Sequence, residues 1–155
     1  MSKALITTFY KSFQERNADS MASCYHEEVT FQDPAFGVLH GKEVTAMWQM
    51  LCKRGNDLVI SYGDIQVTDD QGSAHWEATY TFRTTGRKVH NVIEAEFKFK
   101  DGLIIKHTDH FNLHDWASQA IGWKGWLLGG TGFFKRGLQK QTRKVLDQWI
   151  AAQIE

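Results

Sequence analysis

Apolar residues recur at helical spacing near the start of the chain. Leu5, Ile6, Phe9, Tyr10 and Phe13 share one face, which predicts an amphipathic helix over residues 3–16. Asn17 or Asp19 is positioned to cap a second short helix carrying Met21, Ala22, Cys24 and Tyr25. The period then drops to two. Val29, Phe31 and Asp33 share one parity and Glu28, Thr30 and Gln32 the other, so residues 28–33 read as a strand. Pro34 ends it and keeps Asp33 out of the α region. A third helix is predicted over 42–53, with Val44, Met47, Trp48 and Leu51 on one stripe and Gly55 as its stop.

From residue 58 alternation dominates. Leu58, Ile60 and Tyr62 alternate, then Ile65 and Val67 continue with reversed parity, and the flip at Gly63 predicts a bulge. Asp70-Gln71-Gly72 turns the chain. Ala74, Trp76, Ala78, Tyr80 and Phe82 then alternate against polar neighbours, as expected of a half-buried strand. Beyond a turn at Gly86, Ile93, Ala95, Phe97 and Phe99 face one way. Asp101-Gly102 signals a tight hairpin into a last strand with Leu103, Ile105, His107, Asp109 and Phe111 on one parity. Helices followed by a run of long strands predict an α+β domain with helices on one sheet face. Residues 122–137 differ, with six glycines among two Trp and two Phe, and a final helix is predicted over 138–152. Residues 1–115 are thus expected to form the α+β body, and 116–155 an arm belonging to the same domain.

Composition narrows the functional classes. Ten Phe, six Trp and four Tyr supply rings for a core and for the walls of a pocket. Eighteen basic and eighteen acidic residues cancel, so the whole chain has no electrostatic footprint for nucleic acid. Cys24 and Cys52 form neither a disulfide framework nor a metal spacing. The opening MSKALITTFYKSF lacks the basic-then-apolar order of a secretory leader, so a reducing cytoplasm is the expected setting.

Polar residues that intrude on an apolar parity are the informative ones. Asp33 follows Val29 and Phe31 in phase, and His107 and Asp109 sit between Ile105 and Phe111 in phase. All three are expected to face the space between sheet and helices, where burial raises a carboxyl pKa into the range of a general acid or base. Each also has a plainer reading: Asp33 caps the turn at Pro34, and His107 and Asp109 bond one another. A metal is not expected, because alternation turns His110 away from His107 and Asp109, and His114 lies past the strand. No nucleophile elbow and no phosphate-binding glycine loop is present.

Three stretches carry a family resemblance: FYKSFQERNADSMASCYHEEVTFQDPAFG at 9–37, the helix GKEVTAMWQML, and KDGLIIKHTDHFN at 100–112. Together they resemble the nuclear transport factor two-like superfamily, in its SnoaL-like and ketosteroid isomerase-like branch, over the first 115 residues. The resemblance implies a cystatin-like cone, in which one strongly curved antiparallel or mixed sheet wraps around N-terminal helices and an apolar cavity. It also implies a homodimer, and no cofactor is expected. Phe9, Phe31, Trp48, Trp76, Tyr80, Phe97 and Phe111 are the expected ligand-binding walls. In the isomerases the strand-end aspartate is the general base, which here is Asp33. The oxyanion tyrosine of that family aligns with Phe9, one step from Tyr10, and its second aspartate aligns with Ala95. A steroid isomerase of the usual design is therefore not expected, since oxyanion donors supply several kcal/mol of transition-state stabilisation.

Three readings stay open. One is an isomerase, cyclase or hydrolase using Asp33, His107 and Asp109. The second is a non-catalytic binder of a lipid, polyketide or sterol-like molecule. The third is an interaction scaffold. For the arm, six Lys or Arg interleaved with Trp and Phe over 122–144 suit either a cover for the pocket mouth or partner subunit, or weak contact with a membrane surface.

Overall fold

In a computed structural model, which describes residues 2–154, the predicted stripe of helix α1 (Ser2–Gln14) is the buried one: Ile6, Phe9, Tyr10 and Phe13 pack inward. Asn17 caps α2 (Ala18–Ser23) by accepting from the Ser20 amide. This helix stops short of the residues assigned to it from spacing. Cys24 is its C-cap, and Tyr25 opens strand β1 (Tyr25–Asp33). A short return strand, β2 (Gly37–His40), follows the turn at Pro34, and at four residues it carries too little alternation to be read beforehand. Helix α3 (Lys42–Arg54) buries Val44, Met47, Trp48, Met50 and Cys52.

Four long strands complete the sheet: β3 (Val59–Val67), β4 (Gln71–Phe82), β5 (Arg87–Lys100) and β6 (Leu103–His110). Their order is β2-β1-β6-β5-β4-β3, with β1 and β6 parallel and every other pair antiparallel. The sheet is mixed, curved and unclosed, as the α+β expectation required. Helix α1 lies against β3 and β4, while α3 packs toward β1 and β2.

Two irregularities decide which side chains face inward. The expected break in β3 falls between Gly63 and Gln66, and the residue in left-handed backbone there is Asp64 (φ 50°), a residue type that tolerates it. The second was not foreseen. Lys98 pairs with Lys106 but Phe99 pairs with Ile104, so Ile105 is the extra residue of a bulge. Ile104, rather than Leu103 and Ile105, therefore shares the inner face with His107, and it is fully buried.

The arm is helical throughout: α4 (Leu113–Ile121), α5 (Trp123–Leu128) and α6 (Gly132–Ile154). The last of these starts six residues ahead of its predicted boundary at 138. Asn112 caps α4 by accepting from the Asp115 amide. Helix α6 lies on α3 and on the β1–β2 turn. There Gln139 Nε2 donates to the Pro34 carbonyl at 3.1 Å, Thr142 Oγ1 donates to the Ala35 carbonyl at 2.8 Å, and Arg143 pairs with Glu43. Among the described residues no helix is long and apolar enough to cross a membrane.

Candidate functional site

A cavity of about 420 Å³ opens between the inner face of the sheet, α3 and α6. Trp48, Trp76, Tyr80 and Phe111 line it, as do Met47, Leu58, Ile93, Trp116 and Val145. Two carboxyl groups interrupt these walls, Asp33 and Asp109. They come from adjacent parallel strands. Gln32 of β1 stands in register with Thr108 of β6, so Asp33 and Asp109 are neighbours one step further along, on strands about 4.8 Å apart.

Asp33 both caps the turn after Pro34 and lines the cavity. Its Oδ1 accepts from the amides of Ala35 (2.9 Å) and Phe36 (2.5 Å), which closes the turn after Pro34. What exposure it retains is toward the cavity it lines. Burial pushes its carboxyl up to about 7, and the neighbouring charge of Asp109 acts in the same direction against the two amide bonds. Near neutral pH, Asp33 is therefore able both to hold and to give up a proton.

Asp109 is held differently. Its Oδ1 accepts from His107 Nε2 at 2.9 Å and from Trp76 Nε1 at 3.2 Å. Oδ2 has no hydrogen-bond partner among the described residues. A chain of donors stands behind it. Trp48 Nε1 donates to Tyr25 Oη at 2.8 Å, and Tyr25 Oη lies 2.8 Å from His107 Nδ1. Indole nitrogen only donates and a carboxylate only accepts, so the order that satisfies every group has Tyr25 donating to His107 Nδ1 and the imidazole Nε2–H donating to Asp109. Burial, then the Asp109 charge, pushes the Tyr25 hydroxyl well above its ordinary value and keeps that proton in place.

His107 itself is 0% exposed and does not line the cavity. Phe97, Phe31, Phe9 and Trp48 surround its ring at centroid distances of 4.5, 5.0, 5.6 and 6.1 Å. Its place is thus behind Asp109, which it orients, rather than on a substrate. The same packing relocates three expected wall residues: Phe9, Phe31 and Phe97 enclose the histidine instead of facing the cavity. Tyr10 is also sealed in the core, stacked 5.4 Å from Tyr62, and its hydroxyl finds no partner among the described residues. His110 faces outward, 3.4 Å from Glu96.

Two participants escaped the sequence reading. Spacing alone puts Tyr25 on a helix, although its parity matches Val29, Phe31 and Asp33. Trp116 lies in a segment with no assigned element, and its Nε1 donates to Tyr80 Oη at 2.8 Å. Burial pushes the Tyr80 hydroxyl up, so it stays protonated, and no protein acceptor for that proton occurs among the described residues. Arg54 and Arg83 also line the cavity; both are exposed, which puts them at its outer edge, and Arg54 lies 5.6 Å from the Trp149 ring.

The curved mixed sheet and its helices have the fold of solved structures described as nuclear transport factor two-like or ketosteroid isomerase-like. One, an NTF2-like protein of unknown function from Burkholderia pseudomallei, aligns with TM-score 0.68 and 16% identity over 78% of this chain and 99% of its own. A putative polyketide cyclase from Xanthomonas campestris aligns with TM-score 0.62 and 20% identity over 75% and 93%. A protein of ketosteroid isomerase-like fold from Catenulispora acidiphila, in complex with trimethylamine, aligns with TM-score 0.65 and 11% identity over 75% and 91%. No curated protein matches the sequence significantly. Residues 6–107, about two-thirds of the chain, match the SnoaL-like domain, and the chain belongs to that family.

Proposed function

We propose that this protein is a cofactor-independent acid–base catalyst acting on an apolar, oxygen-bearing small molecule, in the manner of an isomerase, cyclase or hydrolase. The reading is carried by one observation: two carboxyl groups on adjacent strands open onto one aromatic-walled cavity, and burial pushes one of them to about 7. Asp33 is the group that takes and returns a proton. Asp109, oriented by His107 and Trp76, is the second carboxylate, and paired carboxylates in different surroundings divide acid and base roles. Tyr80 supplies a hydroxyl donor to an oxygen where negative charge develops. A homodimer, as the family resemblance implies, working in a reducing cytoplasm completes the reading.

The test is proton exchange at the carbon next to a carbonyl. A panel of cyclic enones and β-diketones is incubated in heavy water with the wild type, Asp33→Asn and Asp109→Asn, and deuterium uptake is followed by NMR. The wild type is expected to exchange at least one member, and Asp33→Asn to lose on the order of a hundredfold in rate. Equal rates in both proteins overturn the assignment of Asp33.

The second reading, a non-catalytic binder, is favoured by Ala95, which stands in register with Asp109 and offers no proton where the isomerases carry an acid. It predicts ligand-induced thermal stabilisation that survives in the double Asp33→Asn, Asp109→Asn variant, with no exchange by the wild type.

A further inference from the structure

Among the described residues, half of the exposed large apolar side chains fall within one stretch of eleven residues. Trp123, Trp126, Leu127, Leu128 and Phe133 are all exposed, Trp123 at 70% and Phe133 at 75%. This is a consequence of how α5 packs. Its buried residue is Gly125, and a Cβ there would stand 2.0 Å from the Ala117 carbonyl oxygen of α4. Gly129 makes a similar approach, with a Cβ placed 2.7 Å from that of Ala117. The segment thus seats its glycines against the protein and turns its tryptophans and leucines outward. Clustered exposed apolar side chains of this kind mark an interaction site.

Charge identifies the partner. The chain is neutral as a whole, yet residues 116–146 contain six Lys or Arg and no Asp or Glu. Arg143 is engaged by Glu43 and Asp147. Lys124, Lys135, Arg136, Lys140 and Lys144 have no ion-pair partner among the described residues. On α6, Phe133, Lys140 and Lys144 recur at spacings of seven and four, so they share one outer stripe, opposite Leu138, Thr142 and Val145 on the cavity side. A two-fold contact between copies through this patch would bring the same cations against each other. Exposed Trp and Phe among unpaired Lys and Arg suit instead the headgroup layer of an anionic bilayer.

We propose that α5 and the outer stripe of α6 form a docking surface for anionic lipid membranes. The docking helix is also the one that roofs the cavity through Leu138, Gln141, Thr142 and Val145. The inference does not depend on the chemistry assigned to Asp33 and Asp109.

Co-sedimentation of the full chain with vesicles of phosphatidylcholine alone, and of phosphatidylcholine with one-third phosphatidylserine, tests it. Binding is expected only to the anionic vesicles and is expected to weaken in high salt. The triple variant Arg136→Gln, Lys140→Gln, Lys144→Gln should bind on the order of a hundredfold more weakly, because each cation contributes separately to attraction by an anionic surface. The variant Trp123→Ser, Trp126→Ser, Phe133→Ser should lose binding while keeping its far-ultraviolet dichroism. Absence of wild-type binding to anionic vesicles at low salt overturns the proposal, as does binding unchanged by both triple variants. Sedimentation velocity covers the competing occupant. A wild-type dimer that dissociates when Trp123, Trp126 and Phe133 are replaced would make the patch a contact between copies and overturn the membrane assignment.

Discussion

His107 Nε2 lies 2.9 Å from Asp109 Oδ1, and since the imidazole is fully buried, it meets the cavity through that carboxylate and not by direct contact. The proton order behind it, from Trp48 to Tyr25 to His107, leaves each nitrogen and oxygen of the chain with a partner. Such a network is rigid when complete and costly when one member is lost.

Tyr25→Phe is the sharpest test of that network. It leaves the Trp48 indole N–H without an acceptor and His107 Nδ1 without a donor, both within the core. Each orphaned group costs about 1–3 kcal/mol, so the variant should be destabilised by at least about 2 kcal/mol in urea denaturation. A change within experimental error would mean the hydroxyl is not engaged as described.

The raised Asp33 pKa makes a signed prediction about stability. A carboxyl at 3.8 in the unfolded chain and about 7 in the folded one binds its proton more readily when folded. Its contribution is fully present below pH 3.8 and is lost as pH rises through about 7. Wild-type stability, measured by denaturant titration at several pH values, should therefore fall across this window relative to Asp33→Asn. The two proteins should show the same slope only if Asp33 keeps an ordinary pKa.

Tyr80→Phe separates binding from chemistry. The cavity keeps its ring, while the hydroxyl that Trp116 orients is lost. On the proposed reading, exchange of a responsive ketone should drop by a factor of about 100–1,000, the usual effect of removing one oxyanion donor, with little change in its KM. A rise in KM at unchanged kcat would instead assign Tyr80 to uniform binding.

Gly125→Ala examines the seam between α4 and α5. The added methyl would meet a backbone carbonyl, which cannot swing aside as a flexible side chain could. Overpacking of this kind costs about 1–3 kcal/mol, and the variant should show a lower melting temperature by circular dichroism. An unchanged transition would show that α5 is not tightly seated.

Much of the body was legible because its elements are amphipathic on their own. The stripe of α1, the alternation of β4 and the Asp101-Gly102 turn each follow from local sterics and the burial of one face, and these need no knowledge of neighbours. Asp33 and Asp109 were visible for the same reason, as charges on apolar parities. The break at Ile105 was not, since a bulge is a property of the β5–β6 pairing and leaves no mark on β6 alone. Helix α4 was missed because it buries only Trp116, Ala117 and Ala120, a stripe of mostly small side chains.

The sequence by itself determined the fold class, the inward parity of Asp33 and Asp109, and the presence of a basic, aromatic arm. Each is a matter of local period or composition. The tertiary structure alone decided that His107 stands behind Asp109 and not beside it, that Tyr25 belongs to the polar chain, and that α6 roofs the cavity. Those outcomes depend on strand register and on which face of a helix meets which strand. Two residues of the same parity are equally inward by sequence. Only the packing of Phe9, Phe31, Trp48 and Phe97 around one of them determines which meets the cavity.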